Sequence, residues 1–434
     1  MFDANMETLV GERLRELQLS RVRNLVDRLL ESPDDRPRLS HLGLASGADV
    51  DLDMVKSLPF TTKDDIVARY PTDGTLVGQS EIVEWHGSSG TGGRETLIPY
   101  TRRDIDTWSA LCARLLVSAG VSENSTAANA YGHGLFTGGI GYHYGLGRVG
   151  ASVVPLGLGP MPRLVRLLRD MKVDTLACTP TYAARLIEYL SDIKMDPHES
   201  LNLRVGIFGA EAFSEKMRGS LESGLGLRAF DLYGLSEVTG PGVAGECRER
   251  SGLHVNEDHF LLEIVDPATG EECADGVIGE IVLTTLSKEA GPVLRYRTGD
   301  LASVSRRPCA CGRNFARISR IQGRRDDMIV VNGVNVFPRD IEEVVLASPN
   351  LSGEFVVVLA EHGGSPAVVA CESPGLDREE RYGLEAALVA RLGVTVRVAT
   401  VPPGSLKPGD VKRGRRVLTA GTPEASALVD LFER

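Results

Sequence analysis

Val173-Asp174-Thr175-Leu176-Ala177-Cys178-Thr179-Pro180, Leu203-Arg204-Val205-Gly206-Ile207-Phe208-Gly209-Ala210-Glu211 and Arg228-Ala229-Phe230-Asp231-Leu232-Tyr233-Gly234-Leu235-Ser236-Glu237 share one pattern, an apolar run that gives way at once to glycine, proline or polar residues. Residues 162–172, 181–191 and 214–224 lie before and between these runs and carry apolar residues at helical spacing. Short apolar runs alternating with helices predict a parallel or mostly parallel sheet. Ligands of such sheets sit at the carboxyl ends of the strands. The loops Thr179-Pro180, Gly209-Ala210-Glu211 and Tyr233-Gly234-Leu235-Ser236-Glu237 are therefore expected to converge on one site.

Working outward, residues 6–31 place Leu9, Leu14, Leu17, Val22, Leu25, Val26 and Leu29 on one face of an amphipathic helix. Residues 252–305 turn β-rich, with turn signals Asp266-Pro267 and Asp275-Gly276, and read as a small barrel-like β unit. After residue 326 comes a hairpin-like segment at 330–336, a helix at 339–348, strands at 354–360 and 366–372, a helix at 378–391 and a strand at 394–401. The expected fold is α/β: a large N-terminal domain, 1–325, with mostly parallel sheets, helices and the β unit at about 240–320, then a small α+β C-terminal domain, 326–434.

The charge balance, 59 acids against 48 bases for a net −11, disfavours nucleic acid as a partner. No run approaches the roughly 18 apolar residues of a membrane span. The start, Met1-Phe2-Asp3-Ala4-Asn5, lacks the basic-then-apolar order of a signal peptide, so a cytoplasmic protein is expected. Seven scattered cysteines argue for thiols or a metal rather than a disulfide framework.

Gly87-Ser88-Ser89-Gly90-Thr91-Gly92-Gly93-Arg94 concentrates small and hydroxylic residues with one cation. It reads either as a flexible surface turn or as a loop whose backbone N–H groups wrap a polyphosphate. A Walker loop is excluded, because no Gly-Lys-Ser/Thr follows at the required spacing. Gly145, Gly147 and Gly150 match the dinucleotide spacing, but an apolar run follows them where a helix is needed, so nicotinamide binding is rejected.

Taken in order, Ser88 to Arg94, Tyr233-Gly234-Leu235-Ser236-Glu237, Arg295-Tyr296-Arg297-Thr298-Gly299-Asp300 and Gly323-Arg324-Arg325-Asp326-Asp327 resemble the core motifs of the adenylate-forming superfamily. Leu58-Pro59-Phe60-Thr61-Thr62-Lys63-Asp64-Asp65, Tyr131-Gly132-His133-Gly134-Leu135-Phe136-Thr137-Gly138-Gly139 and Gly333-Val334-Asn335-Val336-Phe337-Pro338 narrow the resemblance to the phenylacetate–coenzyme A ligases. It implies ATP-dependent activation of an aryl or arylacetic acid to an acyl-adenylate, then transfer to coenzyme A. Transfer to a carrier-protein phosphopantetheine or an amine, and a non-catalytic nucleotide-binding relative, stand as alternatives. The partners implied are a small carboxylic acid, a carrier protein under the alternative, and a second copy of the chain in a homodimer.

The resemblance also distributes roles. Ser88, Ser89, Gly90, Thr91, Gly92 and Gly93 would contact ATP phosphates, and Glu237, beside Thr91, would hold magnesium. Gly209, Ala210, Glu211, Asp231, Tyr233 and Gly234 would flank the adenine, Asp300 would accept the ribose hydroxyls, and Arg324 would complete the nucleotide site. Tyr131, His133, Phe136 and Gly138 would line the acyl pocket. Two departures stand out there: the family usually has an aromatic where His133 stands, and tryptophan is common where Phe213 stands. His133 would recognise a polar substituent, orient the carboxylate or fill space. The C-terminal domain would be mobile, rotating at Asp326 between half-reactions and bringing in a lysine. Reading forward from Gly404-Ser405-Leu406 assigns that lysine to Lys412, and reading backward from Arg415-Arg416-Val417 assigns the position to Arg413.

Cys309-Ala310-Cys311 is a tight thiol pair, and Cys247 with His254 supplies a third sulfur and an imidazole. Four N/S ligands suit structural zinc, although C-x-C pairs also occur in loops without metal. Some relatives carry this same set, which points to zinc.

Overall fold

The computed structural model describes residues 1–69, 74–88, 96–325, 329–331, 334–336, 338–348, 350–351, 353–359, 367–406 and 417–419. The chain divides into two compact units, residues 1–298 with 302–320, and residues 299–301 with 321–434.

In the first unit an antiparallel hairpin, β1 (Ile82–Ser88) and β2 (Thr96–Thr101), precedes the main sheet. Strands β3 (Thr126–Asn129), β4 (Ser152–Pro155), β5 (Thr175–Cys178), β6 (Val205–Gly209) and β7 (Arg228–Leu235) run parallel in the order β7-β6-β5-β3-β4. The predicted alternation is present, with helices Met161–Asp170, Pro180–Asp192 and Glu215–Leu225 joining the strands. Both faces of this region are covered, which is why β5 and β6 read as continuous apolar runs. Leu176, Cys178, Phe208 and Ala229 pack with Leu168, Leu186, Leu190 and Leu221 of those helices in one core. Each large side chain buried there contributes about 1.5–3 kcal/mol.

Beyond β7 the sheet turns antiparallel through β8 (Gly240–Glu246), β9 (Leu253–Val255) and a pair at Val304–Ser305 and Arg317–Ile318. Phe260–Val265, Gly279–Thr285 and Tyr296–Ala302 build a separate sheet. The β-rich stretch is thus shared between two sheets. Alternating apolar residues reveal a strand, but not which sheet edge it joins.

The helix Arg102–Ala119 crosses beneath the hairpin. A capping box, Thr101 with Asp104, starts it, and left-handed Gly120 (φ 108) ends it. The N-terminal helix begins at Gly11 rather than at residue 6, because Gly11 adopts φ 55 and breaks it from a single turn at Ala4–Glu7. Gly145 and Gly147 lie within helix Thr137–Val149 and Gly150 caps it, so the dinucleotide spacing there is coincidental.

The second unit has a four-stranded sheet in the order Val396–Val401, Ala367–Glu372, Phe355–Leu359, Val417–Thr419, with helices Pro338–Ala347 and Arg378–Leu392. A hairpin, Ile329–Val331 with Val334–Val336, contributes to its core beside Val357, Val369 and Leu388. Among the described residues no helix is long and apolar enough to cross a membrane.

Candidate active site

The three loops at the carboxyl ends of β5, β6 and β7 lie side by side, because those strands are neighbours in the sheet. Thr179 caps the helix after β5, accepting from the Tyr182 N–H, and Thr181 donates to Glu211 across the gap at 2.6 Å. At the end of β6, a Cβ on Gly209 would stand 2.5 Å from the Leu232 carbonyl oxygen and 3.1 Å from the Tyr142 hydroxyl, so only glycine fits. Ala210 takes the left-handed region at φ 66, a local cost that turns the chain sharply at the strand end.

On β7, Asp231 is buried; its N–H donates to Glu246 at 2.8 Å and its carboxylate lies 3.8 Å from Arg320. Tyr233 is buried beyond it. Gly234 pairs so closely with β8 that a Cβ would meet the Gly240 oxygen at 2.0 Å. The β7–β8 turn then presents Ser236, bonded to Thr137 at 3.0 Å, and Glu237, which is only 7% exposed. Lys63 Nζ approaches the Glu237 carboxylate at 3.6 Å. Sequence reading quoted Lys63 within a motif but gave it no role. The Thr62–Asp65 capping box, which sets Lys63 at the first position of helix Lys63–Ala68, was the signal that could have found it.

The glycine-rich strip is framed by β1 and β2, which pair Ser88 with Thr96. Ser89, Gly90, Thr91, Gly92, Gly93 and Arg94 lie outside the described residues, as do Asp326, Lys412 and Arg413. The segment after β3 is tied to the hairpin: the Leu135 carbonyl accepts from the Gly87 N–H at 2.8 Å and from His86 Nδ1 at 3.2 Å. Along it, Tyr131 is buried and stacks on Tyr142 at 4.8 Å, whereas His133, Leu135 and Phe136 are exposed. Burial raises both tyrosine hydroxyl pKa values, so both stay neutral. Gly138 lets the Phe136 ring fold over the helix start, since a Cβ there would fall 2.4 Å from the ring. His133 faces His143 edge-on at 6.5 Å, and partial burial together with that neighbour lowers its pKa. Phe213 is a core residue, packed against Phe208, with the guanidinium groups of Arg218 and Arg320 at 5.3 and 4.9 Å from its ring centroid.

In the second unit, Asp300 accepts from Arg324 at 2.9 Å, their backbones paired strand to strand.

A further cluster sits at the antiparallel edge of the main sheet. The ligand atoms of Cys247, His254, Cys309 and Cys311 all lie within 4.8 Å of one another. Cys247 and Cys309 sulfurs are 3.8 Å apart, and Cys311 Sγ is 3.4 Å from His254 Nε2. His254 Nδ1 donates to the Phe315 carbonyl at 3.3 Å, which leaves the Nε2 lone pair toward the sulfurs. Burial drops the His254 pKa to about 4, so the ring is neutral.

Residues 88–287 match the AMP-binding enzyme family, and residues 333–418 match the AMP-binding enzyme C-terminal domain. The chain is 38% identical to the phenylacetate-coenzyme A ligase of Thermus thermophilus, across 96% of this chain and 99% of that one. It is 41% identical to the enzyme of the same name from Escherichia coli, across 82% of each. The solved structure of 2-hydroxyisobutyryl-CoA ligase in complex with 2-HIB-AMP matches with a TM-score of 0.89 at 25% identity, across 99% of this chain and 94% of that one. Identity sustained over nearly the whole length shows that the chain belongs to the phenylacetate–coenzyme A ligase family of adenylate-forming enzymes.

Proposed function

We propose that the protein is an ATP-dependent acid–coenzyme A ligase acting on an aryl or arylacetic acid. The observation that carries this reading is the Glu237 carboxylate, buried at the end of β7 with Lys63 beside it, in a chain 38% and 41% identical to the two phenylacetate-coenzyme A ligases above.

In the first half-reaction a carboxylate oxygen of the acid attacks the α-phosphorus of ATP. A new P–O bond forms, the α–β bridging bond breaks, and pyrophosphate leaves. Two anions must approach, so cations and oriented N–H groups have to offset the repulsion. Glu237 suits magnesium, which favours few protein carboxylates plus phosphate oxygens; magnesium so bound would neutralise phosphate charge. Lys63 supplies an ammonium, which the glycine-rich strip lacks, since Arg94 is the only base within it. Ser88, Ser89, Gly90, Thr91, Gly92 and Gly93 cradle the phosphates. Gly209, Ala210, Glu211, Asp231, Tyr233 and Gly234 form the adenine wall, where the missing Cβ at Gly209 lets a purine lie against the backbone. Asp300, steadied by Arg324, accepts the ribose hydroxyls. Tyr131, His133, Phe136 and Gly138 receive the acid.

In the second half-reaction the coenzyme A thiolate attacks the acyl carbon and AMP leaves. The C-terminal domain, from residue 326, swings at Asp326 between the two steps, and Lys412 reaches the α-phosphate and carboxylate during the first.

Cys247, His254, Cys309 and Cys311 hold a structural zinc. A tetrahedral ion with Zn–S of about 2.3 Å separates two sulfurs by about 3.8 Å, and a sulfur from an imidazole nitrogen by about 3.5 Å. The observed 3.8 and 3.4 Å separations support that fit. Four protein ligands leave no open position, so this metal does no chemistry.

Pyrophosphate exchange into ATP, driven by a panel of aryl and arylacetic acids with magnesium, tests the first half-reaction. Silence across the panel refutes the reading. Exchange without thioester formation on adding coenzyme A would move the acceptor to a carrier protein or an amine.

A further inference from the structure

Beneath the hairpin lies a charged group that the roles above leave unused. Lys288 is 6% exposed, yet its ammonium has no hydrogen-bond partner among the described residues. Nζ instead stands 3.5 Å from the centroid of the Tyr100 ring. Trp108 stacks on Tyr100 at 5.1 Å and 25° between planes. An ammonium that close leaves no room for an indole on the same side, so Lys288 and Trp108 grip opposite faces of the ring. His86 meets both rings edge-on, 5.2 Å from Tyr100 and 5.4 Å from Trp108. Trp108 is fixed in turn by its indole N–H, which donates to the Pro241 carbonyl at 2.6 Å.

Position gives this sandwich its meaning. His86 belongs to β1, which runs into the glycine-rich strip, and Tyr100 to β2, which leaves it. Lys288 also lines a small cavity with Val238 and Thr239, the two residues after Glu237. The grip therefore holds the root of the strip and borders a cavity shared with the chain next to Glu237.

As a packing device, Lys288 is a poor choice. Burying an ammonium without a hydrogen bond is costly, and replacing buried charge by an apolar side chain of similar volume is often neutral or stabilising. The nearby carboxylate, Asp104, is committed to the backbone N–H groups of Thr101, Glu289 and Ala290 at 3.0, 2.7 and 3.0 Å. What lysine supplies that methionine does not is a charge centred on a ring face, which resists sideways slip of the strand. Burial lowers the Lys288 pKa to about 8, with Asp104 acting against that shift, so the ammonium form prevails at neutral pH.

We propose that Lys288 is a positioning residue for ATP: it pins Tyr100 against Trp108, and so sets the hairpin that carries the glycine-rich strip at the level of Glu237. The inference rests on the reading of that strip as the phosphate cradle.

The test is pyrophosphate exchange by the full chain, with KM for ATP and for the acid measured separately in wild type, Lys288→Met, Lys288→Arg and Tyr100→Leu. Loss of one buried cation–π contact predicts that Lys288→Met and Tyr100→Leu raise the ATP KM about tenfold, with kcat and the acid KM within about threefold of wild type. Lys288→Arg, which keeps the charge on the ring, restores most of the ATP KM. Lys288→Met should melt no lower than wild type, which separates positioning from folding. An ATP KM within about twofold of wild type in Lys288→Met, or an equal loss in Lys288→Arg, overturns the proposal. Should Lys288→Met fail to fold, Tyr100→Leu decides by the same criterion; if neither folds, the pair is structural and the proposal falls. A wild-type chain without exchange defeats the ligase reading and this inference together, whereas normal wild-type exchange with unaltered variants defeats this inference alone.

Discussion

Replacing Cys309 by serine should empty the cysteine–histidine cluster and loosen one edge of the main sheet without touching the chemistry. The expected size follows from what the cluster joins. Cys247 follows β8, His254 lies on β9, and Cys309 and Cys311 come from the loop between the strands Val304–Ser305 and Arg317–Ile318. A zinc there ties three chain segments into one cross-link. These segments are also held by strand pairing and by the Arg313–Glu7 ion pair at 2.5 Å, so the sheet does not depend on metal alone. Zinc at a hundredfold excess over its dissociation constant stabilises the folded state by about 2.7 kcal/mol. At roughly 2 °C per kcal/mol for a large domain, the unfolding midpoint should fall by about 5 °C in Cys309→Ser and in chelator-treated wild type. Plasma mass spectrometry should find about one zinc per wild-type chain and almost none in the variant. Exchange activity well below the midpoint should stay within about twofold, because a four-ligand site offers no open position. Wild-type protein that carries no zinc and gains no stability on adding it would refute this reasoning. So would activity that falls in step with metal loss while the protein remains folded.

Two other outcomes are expected. Glu237→Gln keeps the shape and removes the charge beside Lys63; exchange should fall by about 10²–10³-fold, with a raised magnesium requirement and an unchanged unfolding midpoint, and a variant retaining more than about a tenth of the rate would count against the assigned role. His259 is buried, hydrogen-bonded to Ser287 at 2.6 Å, and burial lowers its pKa from 6.5 to about 4, with Asp258 opposing the shift. Its folded form is thus the neutral one, and stability is present above 6.5 and lost as pH falls toward 4. Between pH 7 and 5 this amounts to about 2 kcal/mol, by which the loss that urea unfolding registers in wild type should exceed the loss in His259→Gln; equal losses in both would remove His259 as a cause.

The alternation of apolar runs and helices was enough to place three site loops at the ends of β5, β6 and β7, since a buried parallel strand must be apolar along its length and must end in residues that tolerate a turn. It could not show that Phe213 is core. An aromatic residue two positions after a strand-end loop looks the same in sequence whether its ring faces a ligand or two guanidinium groups. Nor could it single out Glu246, which holds Arg218 at 2.8 and 2.9 Å and the Asp231 N–H at 2.8 Å. Those partners lie 28 and 15 residues away along the chain, and only folding makes them neighbours.

From sequence alone came the elements, their order, the positions of the loops and the four side chains of the cysteine–histidine cluster, because these depend on local periodicity and on which residue types carry a given chemistry. Tertiary structure alone decided that Lys63 faces Glu237, that Lys288 and Trp108 clasp Tyr100, and that Cys247 meets Cys309 across 62 residues of chain. Contacts of that kind are set by how sheets stack and where strands register, and a linear pattern records neither.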